Sequence, residues 1–276
     1  MKKNLKFYLK NKLSKKELES VPNSYDVVGS IMIFSDFPKE LVKKEMIIGE
    51  IILKNYNNIK TILKKTKKYS GKYRTPKLKH ISGEKTKETI HKENNTVLKL
   101  NVEKVYFSSR LSNERLRINN LIKNNEKILV MFSGSGVYPI NISKNTKAKE
   151  TIGIEANPIA HKYALENLKL NKNNNIKLIK GDVKKEIPKL KIKFDRILMP
   201  LPKGAEKFLD LALNKIKKKG IIHYYDFSEE DKYDEINEKI KKECNKSKKK
   251  CKILKVVKCG QFSPGVNRIC VDIRME

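Results

Sequence analysis

Between Lys127 and the C-terminus, short apolar runs alternate with longer amphipathic segments. The runs Ile128–Phe132, Thr151–Ile154, Lys177–Lys180, Phe194–Leu198, Gly220–Asp226, Lys252–Lys258 and Arg268–Ile273 have the length of strands. Pro158–Leu170, Lys203–Ile216 and Glu229–Asn245 carry helical spacing. Such alternation predicts a parallel sheet covered on both faces, an α/β domain spanning 119–276. Only Cys259–Asn267 separates the last two strands, too short for a crossover helix, so they must pair antiparallel. The earlier chain is less regular. Ser14–Val21 reads as a short helix capped by Ser14, Tyr25–Phe34 as a strand interrupted by Gly29, and Pro38–Tyr56 as an amphipathic helix. Ile59–Lys65, Lys77–Ile81 and Thr96–Tyr106 are strand-like, with turns at Ser70-Gly71 and Ser82-Gly83-Glu84. Residues 1–105 are therefore expected to form a small α+β domain. A connector, 106–118, includes a hinge and a short helix in Phe107–Ile118.

The first strand of the larger domain breaks at Ser133-Gly134-Ser135-Gly136, and the second ends on Glu155. A glycine turn after a strand lets backbone N–H groups approach a ligand where a Cβ would collide. An acidic residue about 20 positions later suits a ribose diol, since a carboxylate accepts from both hydroxyls. Two glycines alone make a tight turn in any α/β protein; Glu155 is what favours a cofactor. The dinucleotide pattern needs a third glycine where this chain has Pro139. That argues against NAD and toward S-adenosylmethionine, the other large cofactor class of doubly wound sheets. Five parallel strands followed by an antiparallel pair is also the expected order of a methyltransferase sheet.

Composition adds a partner. In 276 residues, Lys and Arg outnumber Asp and Glu by 63 to 31, a formal charge of +32, which suggests a polyanion such as nucleic acid. Lys, Asn and Ile are abundant throughout, so general basicity alone is weak support. The arginines are more selective: four of the seven (Arg74, Arg110, Arg115, Arg117) lie between 74 and 117, where forked hydrogen bonding would be needed. The four cysteines lie near the C-terminus without a Cys-x-x-Cys pair, which speaks against zinc and suits a reducing compartment. No signal peptide or membrane-length apolar run is present. The expectation is a cytoplasmic, monomeric protein with no membrane partner and no metal.

Further candidates follow from position. Asp182, closing the third strand, suits an adenine amino group and equally an N-cap for the next helix. Met199-Pro200-Leu201-Pro202-Lys203 follows the fourth strand, where two prolines stiffen a loop able to face a base. In Tyr106–Arg117, helix formation from Leu111 would put Glu114 beside Arg117 and Arg110, either as a salt-bridged linker or as a reactive cluster. His91, His161 and His223 are isolated and read as structural or surface residues.

At ETIHKEN (Glu88–Asn94), VYFSSRLSNER (Val105–Arg115), MFSGSG, MPLPKGAEKFLD (Met199–Asp210), GIIHYYDF (Gly220–Phe227) and QFSPGVNRICVD (Gln261–Asp272), the chain resembles the archaeal and eukaryotic tRNA guanine N1-methyltransferases acting at position 37. The resemblance covers both domains from about residue 14. It implies a class I, Rossmann-like methyltransferase domain using S-adenosylmethionine, preceded by a small domain that helps hold the anticodon region of tRNA. It also implies Glu114 as general base and Arg74 as the arginine steadying the guanine. Arg115, Phe132, Gly134, Gly136, Glu155, Asp182 and Val183 fall on the cofactor pocket, with Tyr106 at its wall. Arg110, Pro200, Pro202 and Lys203 fall on the substrate side.

Three features depart from the family pattern: Val130 replaces a usual Asp, Pro200 replaces the Asn of Asn-Leu-Pro, and no counterpart of a separate tRNA-elbow domain is expected. Three alternatives stay open: transfer of an aminocarboxypropyl group from the same cofactor, methylation of a tricyclic wyosine intermediate, and non-catalytic RNA binding.

Overall fold

The computed structural model describes residues 4–201, 203–229 and 232–276. The chain packs as two units, one of residues 4–92 with 97–109 and one of 93–96 with 110–276.

The first unit opens with α1 (Leu5–Leu9) and α2 (Lys15–Ser20). As expected, Ser14 caps α2: its hydroxyl accepts from the Glu17 amide, and the Glu17 carboxylate accepts from the Ser14 amide at 2.8 Å. The stretch Tyr25–Phe34 is a hairpin rather than one interrupted strand. β1 (Asp26–Val28) and β2 (Ile31–Phe34) pair antiparallel, with Val28 opposite Ile31 and Gly29-Ser30 as the turn. Gly29 sits at φ +55°, and a Cβ there would overlap the Ile90 carbonyl and the Thr89 hydroxyl. The helix expected from Pro38 begins as a 3-10 turn, Lys39–Lys44, and becomes α3 only over Glu45–Asn55. β3 (Thr61–Ser70) lies parallel to β2 and antiparallel to β4 (Thr75–Gly83), giving the order β1-β2-β3-β4. Ile48 and Ile52 of α3 pack with Met32, Phe34, Ile62 and Ile81 to form this unit's core.

β5 (Glu88–Glu93) and β6 (Thr96–Asn101) form a separate hairpin. β5 escapes hydrophobic reading because Ile90 is exposed and only Thr89 is buried. β6 stops at Asn101 instead of running to Tyr106, because the Asn101 side chain accepts from the Glu103 and Lys104 amides and turns the chain.

In the second unit, α4 (Ser112–Leu121) precedes β7 (Lys127–Met131), α5 (Val137–Asn145), β8 (Glu150–Glu155), α6 (Pro158–Asn171), β9 (Ile176–Lys180), α7 (Val183–Glu186) and β10 (Phe194–Met199). A 3-10 turn, Ala205–Phe208, leads into α8 (Leu209–Lys215), followed by β11 (Ile216–Glu229), α9 (Tyr233–Lys246), β12 (Cys251–Ser263) and β13 (Val266–Met275). The sheet order is β12-β13-β11-β10-β7-β8-β9. β9, β8, β7, β10 and β11 are parallel, and β13 inserts antiparallel between β11 and β12. The final antiparallel pair therefore forms as its short loop requires.

Strand order reverses between β7 and β10, so a crevice opens at their C-terminal ends. Leu129, Met131, Ile197, Met199, Ile222 and Tyr224 face one layer of helices. Ile128, Val130, Leu198, Tyr225 and Cys270 face the other, against Ile118, Tyr138 and Ile142. Apolar periodicity does not reveal α5, which contains Pro139; that residue lies in the first turn, where an absent N–H costs no helical bond.

Gly29→Ala should lower the unfolding free energy by about 2–4 kcal/mol, because strain at positive φ adds to backbone overlap. Urea denaturation followed by circular dichroism measures this. A variant as stable as the parent would refute the tight turn.

Candidate active site

The site begins where β7 ends. Phe132, Gly134 and Gly136 all take positive φ (59°, 58° and 80°), so the chain coils tightly before α5. At Gly136 a Cβ would press on Ile140 and Ala164, 3.1 and 3.2 Å away. Glu155, at the tip of β8, reaches this turn: its carboxylate accepts the Gly134 amide at 2.7 Å and the Asn157 amide at 2.7 Å. Burial pushes the Glu155 carboxyl up despite these bonds. The Ser133 and Ser135 hydroxyls, which flank Gly134 in the turn, are buried with no hydrogen-bond partner in the protein. Phe132 packs edge-on against Phe208, with ring centroids 5.0 Å apart.

Glu114 lies on α4, whose inward face is unusually polar. Glu114, Arg115, Ile118 and Asn119 are buried, while Leu116 and Leu121 are exposed. Arg117 donates Nε and one terminal nitrogen to the Glu114 carboxylate at 2.7 and 2.8 Å, and both terminal nitrogens to Asp272 on β13 at 2.7 and 3.2 Å. The Tyr225 hydroxyl donates to Glu114 at 2.7 Å and lies 3.0 Å from the Tyr138 hydroxyl. Two phenols thus connect Glu114 to α5, the helix opened by the glycine turn.

On the other side, Asp272 meets His223 Nδ1 at 2.6 Å. Arg196 meets His223 Nε2 at 2.7 Å and forks onto Glu126 at 2.7 and 2.9 Å. Burial acts against the charges of Arg117 and Asp272, but their partners outweigh it: Arg117 is held well above, and Asp272 well below, its ordinary range. His223 is lowered, chiefly by burial. His223, Cys270 and Asp272 place donor atoms within 4.8 Å of one another, but two guanidinium groups already supply positive charge there. This triad is a hydrogen-bonded cluster, not a cation site.

Arg115 points elsewhere. It is fully buried and pairs through both ends of its fork with Glu93, at the tip of the β5–β6 hairpin. Asn94 in that tip donates to the Ser112 carbonyl at 2.9 Å, and Asn145 of α5 donates back to the Asn94 carbonyl at 2.8 Å.

Asp182 caps α7 by accepting the Lys184 amide at 2.9 Å, while the Val183 side chain is committed to the core. Pro200 follows β10 half-buried, and Lys203 and Arg110 are exposed. Pro202 lies outside the described residues. Arg74 and Tyr106 belong to the first unit: Arg74 takes φ +49° in the β3–β4 turn, and Tyr106 packs edge-on against Tyr69 at 5.3 Å. The second unit thus gathers Glu114 with Arg117, and Gly134 with Glu155. Sequence reading missed Tyr225, Asp272 and Glu93 as site partners. They lie in the motif segments IIHYY, ICVD and ETIHKEN, which was the available signal.

Two family models match in tandem: the TRM5/TYW2 methyltransferase domain over residues 89–254 and the TYW2 N-terminal domain over 5–86. The chain belongs to the TRM5/TYW2 methyltransferase family. It is 40% identical to the tRNA (guanine(37)-N(1))-methyltransferase Trm5b of Pyrococcus abyssi over 93% of this chain and 76% of that one. The crystal structure of that relative superposes with a TM-score of 0.87, at 38% identity, covering 96% and 78%. The Methanocaldococcus jannaschii tRNA(Phe) (4-demethylwyosine(37)-C(7)) aminocarboxypropyltransferase is 35% identical over 91% of this chain and 98% of its own. A complex of aTrm5 with tRNALeu gives a TM-score of 0.85 at 32% identity, covering 100% and 79%.

As a TRM5/TYW2 methyltransferase the chain uses S-adenosylmethionine, and its residues fit that cofactor. The Glu155 carboxylate retains acceptor capacity for ribose hydroxyls, and two buried serine hydroxyls of the glycine turn are unmatched. Among the described residues, no helix is long and apolar enough to span a membrane.

The buried triad generates a pH dependence. Because His223 is lowered in the folded chain, the unfolded chain binds more protons once pH falls below about 6.5, so stability decreases on acidification from there. Urea unfolding at pH 7.5 and 5.5 should show this loss, and His223→Gln should show a shallower one. Equal slopes would remove His223 as a contributor. Arg117→Ala strands Glu114 and Asp272 and should cost about 3–5 kcal/mol in the same measurement.

Proposed function

We propose that the protein methylates N1 of guanine at position 37 of tRNA, with Glu114 as general base. The observation that carries this reading is a buried carboxylate bridged through Tyr225 and Tyr138 to the helix that the glycine turn opens. Guanine N1 holds a proton and becomes a competent nucleophile only as that proton leaves, which places negative charge on O6. A carboxylate at N1 and a guanidinium at O6 meet both needs, and Arg74 is assigned the second. S-adenosylmethionine, when bound, supplies the electrophilic methyl group.

In the resting arrangement Glu114 is neutralised by Arg117. The guanidinium also holds Asp272, so settling onto that second carboxylate would release Glu114 to accept a proton without unpairing Arg117.

Glu155 is assigned the ribose, Asp182 and Val183 the adenine, and Phe132, Gly134 and Gly136 the cradle around the cofactor, with Tyr106 at the wall. Arg115, buried against Glu93, is assigned to the cofactor pocket. Arg110, Pro200, Pro202 and Lys203 are assigned to the RNA side. Four unpaired cysteines suit an enzyme working in the cytoplasm, and the reading takes it as a monomer. The first unit is assigned a share in holding the anticodon region.

A second reading is favoured by one specific observation: residues 5–86 match the TYW2 N-terminal domain. It would be transfer of the aminocarboxypropyl group, or methylation of a wyosine intermediate. Incubation with unmodified tRNA and cofactor, then nucleoside mass analysis, separates them. One methyl on guanosine supports the first reading; a larger adduct, or reaction only with a tricyclic base, supports the second. Glu114→Gln should slow methyl transfer by about 10²–10⁴-fold with cofactor affinity retained by calorimetry. Parent-like turnover in that variant would exclude Glu114 as the base.

A further inference from the structure

The far side of the sheet is built past the point where β10 stops. Met199, the last residue of β10, lies opposite Tyr224, yet β11 continues to Glu229 with β13 beside it as far as Val266. At about 3.3 Å per residue, Phe227 stands about 10 Å beyond that edge. This is the edge outside which open α/β sheets bind their ligands.

β12 rises alongside, with Gly260 opposite Arg268, Gln261 opposite Asn267 and Ser263 opposite Val266, so Phe262 has no partner and forms a bulge. A bulge re-aims the side chain it carries. Here it lays the Phe262 ring on that of Phe227, with centroids 4.0 Å apart and planes 31° apart, while the Arg268 guanidinium lies 5.4 Å from the Phe227 centroid. Phe262 is nevertheless 56% exposed. Three residues earlier in the same strand, Cys259 packs against the Tyr225 cluster and neighbours the Glu114 carboxylate.

We propose that Phe262, backed by Phe227 and Arg268, is a stacking platform for an unstacked nucleobase next to the target base. The proposal rests on the reading that the substrate is RNA. A base taken out of its stack leaves neighbours with uncovered faces, and an aromatic ring accepts any of them, because every base has a π-face. Lys258 and Arg268 put positive charge on the same hairpin, in a chain of net charge +32, as a ribose-phosphate strand requires.

The test uses the full chain and an anticodon stem–loop RNA, with binding measured at equilibrium in the absence of turnover. Phe262→Ala should weaken binding about 10-fold, Phe262→Trp should bind like the parent, and Phe262→Leu should stay weak. The control is Leu254→Ala, another exposed apolar residue at a bulge of β12 but one without a ring, and it should bind like the parent. With 2-aminopurine beside the target guanine, the parent should quench its fluorescence and Phe262→Ala should not. Parent-like binding by Phe262→Ala, or full recovery by Phe262→Leu, overturns the platform. Failure of the parent chain to modify any RNA would instead overturn the functional reading, which keeps the two outcomes separate.

Discussion

The fork of Arg117 between Glu114 and Asp272 is the interaction on which the second unit's reactive face depends. Desolvating three charges costs several kcal/mol per ion, and their mutual attraction recovers this only if every lone pair and proton finds a partner. The partners continue outward on both sides. Tyr225 and Tyr138 complete the Glu114 end, while His223, Arg196 and Glu126 complete the Asp272 end. The chain of groups joins α4, β13, β11, β10 and the loop before β7, which apolar packing alone could hold in several registers. A network of this kind contributes little to net stability and much to position. A general base, the role proposed for Glu114, needs position above all.

α4 follows from the same constraint. Its hydrophobic spacing would bury Leu116 and Leu121, whereas the structure exposes both and buries Glu114 and Arg115. Apolar burial, through Ile118, therefore orients this helix only in part. Two ion pairs to other elements add to it: Arg115 with Glu93 and Arg117 with Asp272. The first ties ETIHKEN to RLSNER, since a charge in one is the buried counterion of a charge in the other.

Sequence made the parallel sheet readable because both of its faces are covered, so each strand registers as an apolar run. The antiparallel end was equally readable from a loop too short to cross over. The Gly29 hairpin was not, because a two-residue turn inside one apolar stretch differs from a kinked strand only in backbone dihedrals. α5 was hidden by Pro139 and β-branched residues, whose cost is small in the first helical turn. At the site, Glu114 beside Arg117 follows from helical spacing, but Asp272 lies 155 residues from Arg117. No local pattern encodes a partner at that distance. His223 read as a structural or surface residue; its burial inside a charged cluster carries no signature in its neighbours.

The glycine turn is ambiguous in sequence and less so in three dimensions. A dinucleotide's pyrophosphate needs free backbone N–H donors at a helix N-terminus. Here the Gly134 amide is already taken by Glu155, and Pro139 removes another donor from the first turn of α5. The same features are no obstacle to a nucleoside that offers hydroxyls to the acid and carries a cationic sulfonium in place of phosphate. Cofactor class is thus decided less by how many glycines line the turn than by which of its donors the fold has already spent.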